Sequence, residues 1–117
     1  MKEMYAAEAQ SYDIGSVERI PIGEGRRFRL GAEEIAVFHL RNGEVHAVQA
    51  ICPHREGPLE DGLTGSGRVV CPLHARAFDL ASGEPVGHTC DALRTYPAEV
   101  TSAGTIRIYV VQVAESI

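Results

Sequence analysis

The chain has 117 residues, 44% of them hydrophobic and 23% charged, with a formal net charge of −5. That is enough for one domain with a modest core, and the acidic balance argues against nucleic acid or an anionic membrane surface as partner, since both call for clustered positive charge. No apolar run approaches the ~20 residues that span a bilayer, and Glu3 and Glu8 without an apolar stretch do not make a secretory signal, so a cytoplasmic protein is expected.

Residues 1–11 are Ala/Glu-rich, too short for a stable helix, and read as a loose leader ahead of a single domain over 12–117. From Tyr12 onward the pattern is of short strands. Arg26–Leu30 reads as a strand ended by Gly31, with Arg26, Arg27 and Arg29 as an exposed face. Ile35–Leu40 and Val45–Gln49 flank Arg41-Asn42-Gly43-Glu44, and Asn-Gly between two β-rich runs predicts a hairpin with a type I′ turn. Arg68–Cys71 and Ala77–Leu80 are short strands, the second closed by Ser82-Gly83. Thr95–Val100 and Thr105–Val113 form a closing hairpin through Ser102-Ala103-Gly104. With no persuasive helix and no internal repeat, the expected fold class is all-β, a small antiparallel sandwich or barrel.

Residues 51–76 differ in kind. They hold three of the six prolines, at Pro53, Pro58 and Pro72, and the glycines Gly57, Gly62, Gly65 and Gly67. A stiffened loop region of this sort suits a site rather than a core. Cys52-Pro53-His54 and Cys71-Pro72-Leu73-His74 are two Cys/His pairs, with sixteen residues between His54 and Cys71. Thiolate and neutral imidazole are natural ligands of zinc and of iron–sulfur centres. Three cysteines in all, with no export signal, do not suggest a disulfide framework. Spacing alone leaves two readings, a structural Cys2His2 zinc site and an iron–sulfur cluster. Zinc fingers group Cys with Cys and His with His, whereas here each loop supplies one of each.

Cys52-Pro53-His54-Arg55-Glu56-Gly57-Pro58-Leu59, Cys71-Pro72-Leu73-His74, Phe78-Asp79-Leu80 and Gly83-Glu84 together resemble the Rieske [2Fe–2S] family. The likeness extends from about Tyr12 to Val111 and takes in Arg94-Thr95-Tyr96-Pro97. It implies a Rieske-type β fold with a two-loop cluster-binding subdomain, and one [2Fe–2S] cluster. Cys52 and Cys71 match the ligands of the inner iron, His54 and His74 those of the outer iron. Two ferric ions, two sulfides, two thiolates and two neutral imidazoles sum to zero charge, so such a centre is easier to reduce than an all-cysteine one. Family members of high potential carry an extra cysteine in each loop and hydroxyl donors after the second His. The matching positions here are Gly57, Leu73, Arg76 and Phe78, which implies the low-potential class, roughly −150 mV. Relatives commonly have Gly where this chain has Ala75.

The resemblance is nearest to the Rieske-type small subunit of NAD(P)H-nitrite reductases and to Rieske ferredoxins that serve aromatic-ring dioxygenases. Either implies an electron-transfer component that is not catalytic alone and whose partners are redox proteins; a zinc-stabilised binding module is the third reading. No catalytic residues are assigned: there is no Ser-His-Asp pattern, phosphate-cradling loop or dinucleotide fingerprint, and Glu60-Asp61 reads as a turn. Cys90 reads as a structural or free thiol in a loop. His39 shares a strand face with Ile35 and Val37 and reads as a packed or edge residue. His46 and His88 read as surface residues.

Overall fold

In the computed structural model, which describes residues 9–53, 56–73 and 75–111, the run Ile35-Ala36-Val37-Phe38 is buried on both faces. Side chains alternate across a strand, so four buried residues in succession place strand β3 (Glu33–His39) between two cores. Ala36 and Phe38 join Val48, Ala50, Leu59, Val69, Phe78, Leu80 and Leu93 on one side. Ile35 and Val37 join Ile20, Leu30, Val45, Ala47, Ile106, Ile108 and Val110 on the other. Each fully buried aliphatic or Phe side chain contributes about 1.5–3 kcal/mol of transfer free energy.

Three antiparallel sheets result. The middle sheet runs β2-β3-β4-β9, built from β2 (Gly25–Leu30), β3, β4 (Val45–Gln49) and β9 (Thr95–Tyr96). One outer sheet runs β1-β11-β10, from β1 (Ala9–Ser16), β10 (Ala98–Val100) and β11 (Thr105–Val111). The other is a meander of β5 (Leu63–Gly65), β6 (Arg68–Val70), β7 (Ala77–Asp79) and β8 (Pro85–Val86). Single 3₁₀ turns at Val17–Arg19 and Leu59–Asp61 complete the elements among the described residues. The fold is all-β, as the sequence pattern implies. No helix among the described residues is long and apolar enough to cross a membrane.

Several details depart from the sequence reading. The β3–β4 hairpin is present, but its loop is one residue longer than a type I′ turn. Leu40 pairs with Glu44, the Gly43 amide donates to the Leu40 carbonyl at 2.9 Å, and Gly43 alone in the loop takes positive φ, at 90°. Thr95–Val100 is two strands in two sheets, because Pro97 has no N–H to continue a ladder. β9 pairs with β4 and β10 with β11. Residues 9–11, placed in the leader, are rungs of β1 opposite Val111, Val110 and Tyr109; residues 1–8, and Gln112 and Val113 of the last predicted strand, lie outside the described residues. β5 and β8 are three and two residues long, too short to leave a periodic pattern.

Arg26, Arg27 and Arg29 are exposed but do not make the one face that the sequence reading expects: Arg27 and Arg29 lie on one side of β2 and Arg26 on the other, and each meets a nearby carboxylate. Arg26 pairs with Glu24 at 3.0 Å, Arg27 with Glu60 at 3.1 Å, and Arg29 with Glu34 at 3.0 Å.

Candidate metal centre

Cys52 and Cys71 open two loops of the same construction. In the first, Ile51 and Pro58 form an antiparallel bridge. Within it the Cys52 amide donates to the Gly57 carbonyl at 2.9 Å, and the Glu56 amide donates to the Cys52 carbonyl at 2.8 Å. In the second, Val70 and Ala77 are the last pair of the β6–β7 ladder. Within it the Cys71 amide donates to Arg76 at 2.8 Å, and the Ala75 amide donates to the Cys71 carbonyl at 3.0 Å. The residue four after each cysteine is left-handed, Glu56 at φ 62° and Ala75 at φ 54°. For a residue with a Cβ that conformation costs roughly 1–2 kcal/mol. Two loops of equal span, each opened by Cys-Pro and each turned back by a left-handed residue, form a structural repeat. The sequence shows it as the recurring Cys-Pro dipeptide with a His soon after each.

Both cysteines are buried, Cys52 to 1% exposure and Cys71 to 0%, in the core that contains Leu59, Val69, Phe78, Leu80 and Leu93. Gly57 is where the loops meet. A Cβ placed there would lie 2.8 Å from Cys71 Sγ and 3.1 Å from Leu73 Cγ. The pair Gly57/Leu73, which the family resemblance marks as the place of the extra cysteines, is thus a contact between the loops. Pro72, Leu73 and Ala75 are exposed at the outer side of the second loop, Leu73 to 57%. His54, Arg55 and His74 lie outside the described residues. Among the described residues no three His, Cys, Asp or Glu side chains gather as a metal site; two of the four expected ligands are not among them.

A third segment, residues 85–93, packs beside the two loops. Leu93 is buried in the same core, and Cys90 packs against it half-buried. His88 is not the surface residue that the sequence suggests. Its Nε2 lies 2.9 Å from the Ala77 carbonyl, and its ring meets Phe78 edge-on with centroids 5.3 Å apart. Its Nδ1 is buried without a hydrogen-bond partner among the described residues. A lone His in a Gly-rich stretch gives no sign of such packing. His39 is half-buried with Nδ1 2.7 Å from the Ile20 carbonyl, a packed residue of the interior strand β3 rather than an edge one. His46 is half-buried beside Glu44 at 2.9 Å. Glu60 is the Arg27 partner.

Behind the second loop, the Asp79 carboxylate accepts from the Ser82 amide at 2.8 Å and the Ser82 hydroxyl at 2.9 Å. These bonds hold the Asp79 carboxyl below the usual carboxylate range. Phe78, fully buried, offers no hydroxyl donor to the two cysteines that share its core.

The donor set suits a thiolate-bound centre. Two cysteines come from matched loops that touch, in an apolar setting that keeps water from the sulfurs, and the single hydrogen of Gly57 is what lets the first loop approach Cys71 Sγ.

The Rieske [2Fe-2S] domain model matches residues 10–97. Among solved structures, a protein assigned as an NADH-dependent nitrite reductase small subunit from Mycobacterium tuberculosis superposes with a TM-score of 0.84 at 26% identity, covering 90% of this chain and 98% of that one. The biphenyl dioxygenase ferredoxin subunit of Pseudomonas sp. strain KKS102 is 33% identical over 87 residues, 73% of this chain and 79% of its own length. The 4beta-methylsterol monooxygenase of Methylococcus capsulatus is 43% identical over 54 residues, 46% of this chain; that match spans 15% of the monooxygenase.

Proposed function

From the chain's membership in the Rieske [2Fe–2S] domain family, whose cofactor is one Rieske-type cluster, we propose that it is a one-electron carrier holding that cluster with Cys52, His54, Cys71 and His74. The observation that supports this ligand set is the pair of matched loops that bring two buried cysteines into one core. When bound, the cluster accepts and gives up single electrons. The chain's own part is to supply two thiolates from a dry interior and two imidazoles from the loops, and to fix the loops against each other at Gly57. Phe78, Leu59 and Leu93 exclude water from the sulfur side. Reduction adds negative charge to the centre, and with Arg76 and Phe78 in place of hydroxyl donors that charge gains little side-chain hydrogen bonding, which favours a low potential.

The finer reading is that the carrier is the small subunit of an assimilatory NAD(P)H-nitrite reductase, delivering electrons within a larger redox assembly and working in the cytoplasm. Its support is the 0.84 superposition, which takes in nearly the whole of the relative. The alternative is a ferredoxin that feeds an aromatic-ring dioxygenase, and the 33% identity to the biphenyl dioxygenase ferredoxin subunit speaks for it. Reconstitution separates the two. Stimulation of NADH-dependent nitrite consumption by a siroheme-containing large subunit supports the first. Reduction of a dioxygenase, with no effect on nitrite turnover, supports the second. A visible spectrum with an iron and sulfide assay tests the shared premise; a colourless protein with one zinc would refute it.

A further inference from the structure

Gln49, the last residue of β4, stands three residues before Cys52 and uses both ends of its side-chain amide. Its Nε2 donates to the carbonyl of Ile51, the residue immediately before Cys52, at 2.7 Å. Its Oε1 accepts from the Arg94 amide, also at 2.7 Å. Its backbone amide donates to the Arg94 carbonyl at 2.9 Å. Arg94 directly follows the third segment: Leu93 before it is buried in the core of the two cysteines and donates from its amide to the Gly83 carbonyl at 2.8 Å. Arg94 is itself anchored, with Nη2 3.3 Å from Glu33 Oε1, and Glu33 also accepts from the Tyr96 hydroxyl at 2.8 Å.

We infer that Gln49 is a positioning residue for the cluster: it ties the peptide that leads into Cys52 to the segment that covers the site, so the first ligand loop and its cover hold one register. The inference rests on the ligand assignment proposed above. The amide chemistry is what makes the residue hard to replace. Ile51 presents an acceptor and Arg94 a donor, and among side chains of this length only Gln can give one bond and receive the other. Glu can receive from Arg94 but sets a carboxylate against the Ile51 carbonyl; Leu loses both bonds and leaves the part-buried Ile51 carbonyl without its partner, while the exposed Arg94 amide can turn to water.

The test compares the cluster-loaded wild type with Gln49→Glu, Gln49→Leu and Gln49→Asn, and with two controls. Tyr96→Phe removes the hydroxyl's bonds to Glu33 and to the Arg94 side chain, in β9, while leaving both bonds of the Gln49 side-chain amide in place. Ile108→Val loosens the other core. The readouts are iron release to a chelator, the electron paramagnetic resonance spectrum of the reduced protein and the thermal midpoint. Gln49→Glu and Gln49→Leu are expected to release iron about fivefold faster or more, the factor of one net hydrogen bond, with altered resonance lines. Controls of equal thermal loss should release at the wild-type rate. Gln49→Asn, which keeps both groups on a shorter arm, should fall between and remains informative if Gln49→Leu does not fold. Wild-type release and lines in Gln49→Glu, or acceleration no greater than in controls of matched thermal midpoint, would overturn the inference while leaving the ligand set intact. A wild type that takes up no cluster would overturn both.

Discussion

Gly57 and Cys71 belong to different loops yet are in contact: a Cβ on Gly57 would stand 2.8 Å from the Cys71 sulfur. A thiol free to rotate could move aside at small cost, but a sulfur held in a metal centre could not. Gly57→Ala should therefore lower cluster content much more than it lowers the stability of the β framework, whose loss should stay within the roughly 1–3 kcal/mol of an overpacked site. Iron and sulfide analysis beside thermal unfolding checks this; full cluster occupancy in the variant would mean that the loops have room to spare.

The cysteines themselves are expected to separate cleanly. Cys52→Ser or Cys71→Ser should abolish the visible absorption, because the hydroxyl is a far weaker ligand than thiolate for this centre. Cys90→Ser should keep cluster content nearly unchanged, since Cys90 packs half-buried beside the core without belonging to either loop. Bleaching in Cys90→Ser would require a different ligand set.

How much of this was legible in the residues follows from range. The β3–β4 hairpin and the Cys-Pro loops could be read because their signals are local: alternation around Asn42-Gly43, and two ligand types at short spacing. The separation of β9 from β10 also has a local cause, Pro97, yet its consequence is tertiary, since the two halves of one apolar stretch serve different sheets. His88 against Phe78 and the Gln49 link to Arg94 depend on segments 10 and 45 residues apart, and nothing in either stretch encodes its partner. Gly57 was readable as a turn residue; that it faces a sulfur was not.

Ala75 sits at φ 54° in a position where glycine has no steric penalty. Ala75→Gly removes that penalty and adds some backbone freedom to the unfolded chain, so the two effects oppose each other. A net stabilisation of up to about 1 kcal/mol is expected, measured by denaturant unfolding, with the cluster spectrum unchanged. A destabilised Ala75→Gly would show that the alanine methyl packs usefully on the loop.

Asp79 gives a prediction in pH. Its carboxyl is held below the ordinary range by the Ser82 amide and hydroxyl. A group whose folded value is depressed contributes stability that is fully present above its unfolded value and is lost as the pH falls through the folded one. Asp79→Ala should thus cost about 1 kcal/mol near neutral pH, the size of a lost capping bond. Its deficit relative to wild type should shrink as the pH drops below the usual carboxylate value of about 4. Urea unfolding of both proteins across that range decides it; a deficit that stays constant into acid would assign the effect to packing rather than charge.

Hydroxyl donors near the sulfurs should raise the potential. Phe78 is fully buried in the core that holds both cysteines, and Arg76 follows the second loop, its carbonyl accepting from the Cys71 amide. Phe78→Tyr and Arg76→Ser are expected to raise the midpoint potential by tens of millivolts, since ~30 mV is about 0.7 kcal/mol for one electron, within the net worth of one hydrogen bond. Protein-film voltammetry on correctly folded variants reads the shift, and no rise in either would count against hydrogen bonding as the cause of a low potential.

The last prediction concerns the surface through which electrons pass. The outer side of the second loop is apolar, with Pro72, Leu73 and Ala75 exposed, and Arg76 beside it is half-buried on a chain of net charge −5. An exposed leucine beside a redox centre contributes to docking through burial, which salt hardly affects, whereas an arginine contributes through attraction that salt screens over about 10 Å at 0.1 M. The two contributions can therefore be told apart. Leu73→Ser should slow interprotein electron transfer by a similar factor at low and high ionic strength. Arg76→Glu should slow it mainly at low ionic strength, by weakening attraction to an acidic patch on the partner. Neither should change the cluster spectrum, which separates docking from ligation. Stopped-flow reduction by the native donor is the measurement. Unchanged rates in both variants would move the docking surface away from the second loop, and a salt-dependent loss in Leu73→Ser would show that the apolar tip acts by orienting charge rather than by its own burial.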